Sequence, residues 1–464
     1  MRRILFITGK LAEPSLRRMV DELGPQVGFE PVIATMPITV AALLTTNWVA
    51  RHLTLPENIE RIILPGFCRG ELDELTRHFP VPVERGPKEL RDLPEYFGKR
   101  SGPPPGYGNF NIEILAEINH APRMHREDLI RQAEKYRRDG ADRIDLGCDP
   151  AQTWNAVGET VRDLVSRGFR VSIDSFNAVE VEAALDAGAD LVLSVNRGNL
   201  DAAARWHQRF PHVEVVAIPD SPSEPETLDF TIQALQAIGM RFRIDPILEP
   251  ISFGFAASLG RYLDFRRRYP ELPMMMGVGN LTELTDVDSA GINVLLAGFC
   301  QEQQIHSILA TEVIHWAQSA VKEFDLARKL VHYAVTNRVL PKRLEPNLVM
   351  LRDPKRHELG EEALRDLASR VTDRNYRIIA ERGELHLFNG MMHLRGTDPF
   401  ELFEQLLERD AKMTPGHAFY LGYELSKAVT ALTLGKNYTQ DQALRWGFLT
   451  IPERSHRSRA TSDA

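Results

Sequence analysis

Between about residues 112 and 311 the chain repeats one pattern. A short apolar run stops at a polar residue, and a helical stretch follows. The run-ending residues are Asn119, Asp145, Asp174, Asn196, Asp220, Asp245, Asn280 and Thr311. They lie 26, 29, 22, 24, 25, 35 and 31 residues apart, close to the roughly 30 residues per unit of an eightfold βα barrel. The spacing predicts a (β/α)8 TIM barrel, in which the C-terminal strand ends form the rim that carries chemistry.

The parity of the runs supports this. Side chains alternate between the two faces of a strand. In Ile112–Asn119 the even positions Ile112, Ile114, Ala116 and Ile118 are apolar, while the odd ones include Glu113, Glu117 and Asn119. Ile144 and Leu146 alternate with Arg143 and Asp145, and Val171 and Ile173 with Ser172 and Asp174. Phe242 and Ile244 alternate with Arg241, Arg243 and Asp245. Barrel strands need an apolar outer face for the helical shell and can gather polar groups inside. An open doubly wound sheet would bury both faces more evenly. Glu127–Arg138 starts acidic and ends basic, as a helix dipole favours. Gly140-Ala141-Asp142 and Gly188-Ala189-Asp190 repeat a helix-stop, strand-start signal.

The flanks lack this beat. Residues 1–100 read as a small Rossmann-like α/β domain, with strands Arg2–Thr8, Glu30–Ala34 and Arg61–Leu64 and helices Leu16–Leu23 and Val40–Leu53. Thr8-Gly9-Lys10 has none of the spaced glycines of a phosphate loop, so a plain βα turn is favoured. Residues 101–111 begin Ser101-Gly102-Pro103-Pro104-Pro105-Gly106 and read as a linker, because proline removes donors and glycine frees the turn. The barrel spans 112–340. Residues 345–452 read as an α+β domain, with a hairpin of Arg377–Ala380 and Glu384–Phe388 and helices Pro399–Leu407 and Ala418–Thr433. The tail, 453–464, is polar and expected to be disordered. The fold class is thus α/β, a TIM barrel between two smaller domains.

Composition narrows the partners. A net charge of −8 over 464 residues gives no footprint for nucleic acid. No run approaches the 18 apolar residues of a membrane span, and the N-terminus lacks a signal peptide's long apolar core. A cytoplasmic protein is expected. Cys68, Cys148 and Cys300 are too scattered for a zinc knuckle or a disulfide framework.

Inward carboxylates and amides at strand ends can bind a polar heterocycle. A carboxylate offers two coplanar oxygens to a paired ring N–H and amine. Asp145, Asp174, Asn196 and Asp245 are candidates. Glu113, Arg143 and Arg241 sit deeper and read as an internal ion-pair layer. Glu312 and His315, three apart, lack the second such pair that a transition metal needs. No base adjoins Cys148 in sequence, so it reads as a small rim residue.

Six segments in order resemble the pterin-binding barrel family: Ile114–Asn119, Gly140–Gly147, Val171–Ser175, Gly188–Asn196, Ile244–Pro246 and Gly277–Asn280. That family includes dihydropteroate synthases and methylpterin-dependent methyltransferases. The resemblance implies that Asp145, Asp174 and Asp245 line a pterin pocket and polarise the ring. It implies further contacts from Asn119, Asn196, Gly277 and Asn280, with Asn119 touching Mg2+ or pyrophosphate. Near Asn196 the register is ambiguous, because Leu193 stands where the family often has asparagine. His120-Ala121-Pro122-Arg123 and Gly279-Asn280-Leu281 depart from the loops that hold aminobenzoate and pyrophosphate in ordinary synthases. The whole layout resembles dihydropteroate-synthase-related proteins of methanogens and methylotrophs. This implies a transferase joining a pterin-6-methyl pyrophosphate to an arylamine, a ribosylated aminobenzene phosphate, in tetrahydromethanopterin biosynthesis. The alternatives are a methyltetrahydropterin-dependent methyltransferase and a non-catalytic pterin-binding protein. Barrels of this kind often form homodimers, which sets that expectation here.

Overall fold

The structure is a computed structural model that describes residues 2–87, 90–98, 104–342, 344–354 and 356–453. Residues 101–103 of the expected linker and 454–464 of the expected tail lie outside the described residues.

At the N-terminal end, β1 (Arg2–Gly9), β2 (Phe29–Met36), β3 (Arg61–Leu64) and β4 (Val83–Arg85) form a parallel sheet in the order β2-β1-β3-β4. Strand β1 is buried on both faces. Leu5 and Ile7 pack with Val49, Ile62 and Leu64 on one side, and Ile4 and Phe6 with Leu16, Val20 and Ile63 on the other. The helix expected over Val40–Leu53 is broken. A 3-10 turn spans Ala41–Leu43, Thr45 is extended, and a helix covers Thr46–His52. The Thr45 hydroxyl accepts from Trp48 N at 3.3 Å. A cap of this kind starts a new helix where a continuous one was expected.

The second sheet is the barrel. Its strands are β5 (Glu113–Ile118), β6 (Arg143–Gly147), β7 (Val171–Asp174), β8 (Leu191–Val195), β9 (Glu214–Ala217), β10 (Arg241–Ile244), β11 (Met275–Gly277) and β12 (Ser307–Ala310). All pair in parallel, in the order β10-β9-β8-β7-β6-β5-β12-β11. A parallel bridge between Ile244 and Met274 closes the ring, with Ile244 N donating to Pro273 O at 2.9 Å. A helix follows each strand. The expected (β/α)8 architecture is therefore present.

The strand ends agree closely with the sequence pattern. Asp174 ends β7, and Asn119, Asn196, Asp245 and Thr311 each lie one residue past a strand. Asp145 sits inside β6, two residues before its end. Asp220 and Asn280 lie three residues past β9 and β11.

Parity places the shell as expected. Ile112, Ile114, Ala116, Ile118, Ile144, Leu146, Val171, Ile173, Phe242 and Ile244 all join the apolar cluster between strands and helices. The lumen is stratified. At the N-terminal end, Glu113 meets Arg143, Arg170 and Arg243 at 3.3, 2.9 and 2.8 Å. Arg243 also meets Glu214 at 2.7 Å, and Asp190 pairs with Arg143 and Arg170. Above it lies an apolar layer of Leu115, Leu191, Leu193, Val216 and Met275. The carboxylates described below come next. Arg241 departs from expectation. It is exposed at the first residue of β10 and reaches His212 O at 3.5 Å, while Arg243 occupies the ion layer. At the first residue of the strand the guanidinium is exposed, so no ion partner need hold it.

The third sheet, β13 (Arg377–Glu381), β14 (Glu384–Phe388) and β15 (His393–Gly396), is antiparallel. Helices Pro399–Arg409 and Pro415–Leu434 cover it through Leu402, Leu406, Leu421 and Leu425. Arg382 and Gly383 both have positive φ, 55° and 84°, which suits a two-residue hairpin turn. By compactness the chain forms two units, Met1–Pro103 with Met350–Ala464, and Pro104–Val349. Within the first, Leu11 packs beside the cluster of Leu364, Val371 and Phe388.

Candidate functional site

Three neighbouring barrel strands bring their inward carboxylates together. Glu117 of β5 is registered opposite Asp145 of β6, and Asp145 opposite Ser172 of β7. Asp174 follows Ser172 by two, so it shares its face. One oxygen each from Glu117, Asp145 and Asp174 lies within 4.8 Å of the others. Gly147 makes room for this. A Cβ built there would lie 2.6 Å from Glu117 Oε1, so a larger residue would push the carboxylate aside.

Asp145 is fully buried. Its Oδ1 accepts from Ser172 Oγ at 2.6 Å, and its Oδ2 has no donor among the described residues. Asn119 donates its amide to Glu117 Oε1 at 3.2 Å. Burial and the Asp145 and Glu283 charges push Glu117 up to about 8. Burial raises Asp145 to about 6, opposed by the Ser172 hydrogen bond and by Arg143 from below. Asp174 is raised well above the usual carboxylate range by burial and by the Asp145 and Glu117 charges. Like charges this close cannot all ionise without a counterion or a donor.

Asp245 stands three strands round the ring from β7 and has its own donors. Its Oδ1 accepts from Tyr262 Oη at 2.5 Å and from Ile247 N at 2.8 Å. Burial pushes it up to about 6, moderated by the Tyr262 hydroxyl and the Ile247 and Gly277 N–H groups. Gly277 thus contributes backbone to this carboxylate.

The amides are committed elsewhere. Asn196 caps the turn Arg197–Asn199, accepting from Gly198 N at 2.9 Å. Leu193 points into the apolar lumen layer. Asn280 donates to Leu248 O at 2.8 Å and so ties the loop after β11 to the loop after β10. The Glu312 carboxylate is held by Lys135 and by Val321 N, and burial brings it up to about 7. Burial and the Glu180 carboxylate raise the Cys148 thiol, which keeps it protonated and a poor nucleophile.

Four contributors were absent from the sequence-derived site: Glu117, Ser172, Tyr262 and Glu283. Glu117 had a usable signal, since it shares parity with Glu113 and stands two residues before Asn119. Ser172 has the same relation to Asp174. Tyr262 lies in the helix Phe255–Arg268, and no strand pattern could reach it. Glu283 accepts from Thr311 Oγ1 at 2.8 Å, Val313 N at 2.9 Å and Ile314 N at 2.7 Å, organising the loop after β12.

Residues 121–223 match the family model described as "Pterin binding enzyme". Residues 370–441 match a model named PterinBD-DUF4346, and residues 2–88 match a family of unknown function (DUF6513). An uncharacterized protein of Methanocaldococcus jannaschii is 27% identical over 95% of this chain and 98% of its own length. Among solved structures, the 7,8-dihydropteroate synthase of Vibrio fischeri is 18% identical, with a TM-score of 0.37, covering 49% of this chain and 94% of its own. The Burkholderia cenocepacia dihydropteroate synthase complexed with 7,8-dihydropteroate is 20% identical, with a TM-score of 0.36, covering 49% and 92%. No helix among the described residues is long and apolar enough to cross a membrane.

Proposed function

We propose that this protein is a pterin-utilising transferase of the dihydropteroate synthase type. It would join a pterin-6-methyl pyrophosphate to an arylamine, a ribosylated aminobenzene phosphate, in tetrahydromethanopterin biosynthesis. One observation carries the reading. Carboxylates from separate parallel strands, the buried Asp145 and Asp245 and the half-buried Asp174, stand at the C-terminal end of a barrel. Part of that barrel matches a pterin-binding model.

A pterin presents a ring N–H beside an exocyclic amine, and one carboxylate can accept both in plane. Asp174 and Asp245, on separate arcs of the rim, would orient the ring and accept from its N–H groups. In the transfer, the bond from the pterin methylene to pyrophosphate oxygen breaks. A bond from the methylene to the arylamine nitrogen forms, and the nitrogen's proton leaves. Asn119, beside Glu117, could add an amide oxygen to a Mg2+ ligand set. The oxygen-only donors around it suit a hard cation. Such an ion, when bound, would stabilise departing pyrophosphate.

The test is calorimetry with 6-hydroxymethyl-7,8-dihydropterin, followed by coupling of its pyrophosphate to the arylamine. Asp174→Asn should weaken ring binding by about 10-fold to 100-fold, the worth of a charged hydrogen-bond pair. Unchanged binding in that variant removes Asp174 from the pocket. Methyl transfer from a methylpterin would support the methyltransferase reading instead, and ring binding without turnover the carrier reading.

A further inference from the structure

We propose that the N-terminal α/β domain holds a binding site for a small, uncharged ring compound carrying a carbonyl-type oxygen. The site lies outside the barrel and does not rest on the pterin reading.

Topology makes the opening. In the sheet order β2-β1-β3-β4, the chain leaves β1 towards β2 on one side and β3 towards β4 on the other. In parallel α/β sheets a crevice opens at the carboxyl ends of two such strands, and ligands bind there. A cavity of about 280 Å3 stands at this point. Thr8 near the end of β1, Leu64 at the end of β3 and Gly86 just past β4 all line it. Its wall draws on both apolar clusters of the domain, with Phe6 and Leu16 from one and Ile7 from the other. The cavity thus caps the end of the sheet rather than lying on one face.

Two glycines shape it. A Cβ at Gly9 would lie 2.8 Å from Ala41 N and 2.9 Å from Ile38 O. Gly9 therefore lets the turn Ala41–Leu43 close over the end of β1. A Cβ at Gly86 would lie 2.9 Å from Ile63 Cγ2, so this glycine lets the loop after β4 close against β3.

The lining sets the chemistry of the ligand. It is mostly apolar, and no lysine, arginine or histidine is among its described residues. That suits neither a phosphate nor a free carboxylate, whose burial calls for a cation. Ala41, Ala42 and Gly66 line the cavity, and their N–H groups donate to no acceptor among the described residues. Partly buried donors of this kind call for an acceptor, which a ligand carbonyl would supply. Phe67, half-exposed at the lining, offers an aromatic wall on which a ring can pack. The volume bounds the size, since 280 Å3 is the liquid volume of about nine waters. One ring with a substituent fits, and a nucleotide does not.

The test is NMR on the full chain labelled with 15N-alanine and 15N-glycine, titrated with benzamide. Saturable binding with shifts at the Ala41, Ala42 and Gly66 amides is expected. Benzoate adds a charge and toluene lacks the oxygen, so each should bind at least about threefold more weakly. Ala42→Phe should weaken benzamide by about tenfold or more by taking up the space. Phe67→Ala should weaken it by about threefold to tenfold, the worth of one aromatic contact. Circular dichroism shows whether each variant is folded. No saturable binding below about 10 mM, the floor for a ligand of this size, overturns the proposal. So do shifts confined to other amides, benzoate or toluene binding as tightly, or unchanged affinity in both folded variants. Displacement of benzamide by 6-hydroxymethyl-7,8-dihydropterin would place it in the barrel and overturn the proposal too. Failure of that pterin to bind at all sinks the pterin reading and leaves this site standing.

Discussion

Replacing Asp245 with asparagine should make the protein more stable at neutral pH while damaging ligand binding. Asp245 is only 7% exposed, and burial lifts its pKa from 3.8 to about 6. The folded state therefore keeps this proton up to about pH 6, whereas the unfolded chain releases it near pH 4. Between those values the folded state binds more protons, so this group's contribution falls as pH rises. The shift corresponds to about 3 kcal/mol, present below pH 4 and lost above pH 6. Asparagine does not titrate, and its amide oxygen can still accept from Tyr262 Oη and Ile247 N. Asp245→Asn minus wild type should thus be about 1 kcal/mol of stabilisation at pH 4.5 and reach up to about 3 kcal/mol at pH 8. Urea unfolding at both pH values, followed by tryptophan fluorescence, reads it. Trp154, Trp206 and Trp316 all report on the barrel unit. Taking variant minus wild type cancels the other titrating groups. The same variant should bind a dihydropterin more weakly. A stability difference independent of pH, or a wild type more stable than the variant at pH 8, would refute the reasoning.

Two further outcomes test the frame around the site. Gly140→Ala should destabilise the barrel by about 2 kcal/mol or more in urea unfolding. The position has φ +107°, and a Cβ there would lie 2.4 Å from Asp325 Cγ. Leu193→Ala should cost about 2–5 kcal/mol by hollowing the apolar lumen layer. A loss below 1 kcal/mol would mean that the layer collapses around the gap.

Much of the barrel was legible because it rests on alternation, which survives without knowledge of tertiary contacts. The odd positions of Ile112–Asn119 predicted what faces inward, and the apolar even positions predicted the shell. Asp174 and Asp245 could be picked out for the same reason, as polar residues at the end of apolar runs. What alternation cannot supply is partnership. Asn196 has the right place for a pocket residue, yet its oxygen is spent on a local cap. Asn280 bridges two loops. Nothing in the helix Phe255–Arg268 marked Tyr262 as the donor to Asp245. Arg241 and Arg243 have the same parity, and only strand length decides which is inside. The break at Thr45 was hidden because Ala41-Ala42-Leu43-Leu44 just before it are good helix formers.

The apolar middle layer of the lumen acts as a dry septum. It keeps the ion network beneath it and the acidic group above it from pairing with each other, although its low dielectric screens little of the field between them. Arg143 still tempers Asp145, after burial and the Ser172 hydrogen bond. Charges at the base of the barrel can then be rearranged without breaking a bond at the rim. Conversely, a new loop or a new acid at the top can alter ligand preference without loosening the foundation.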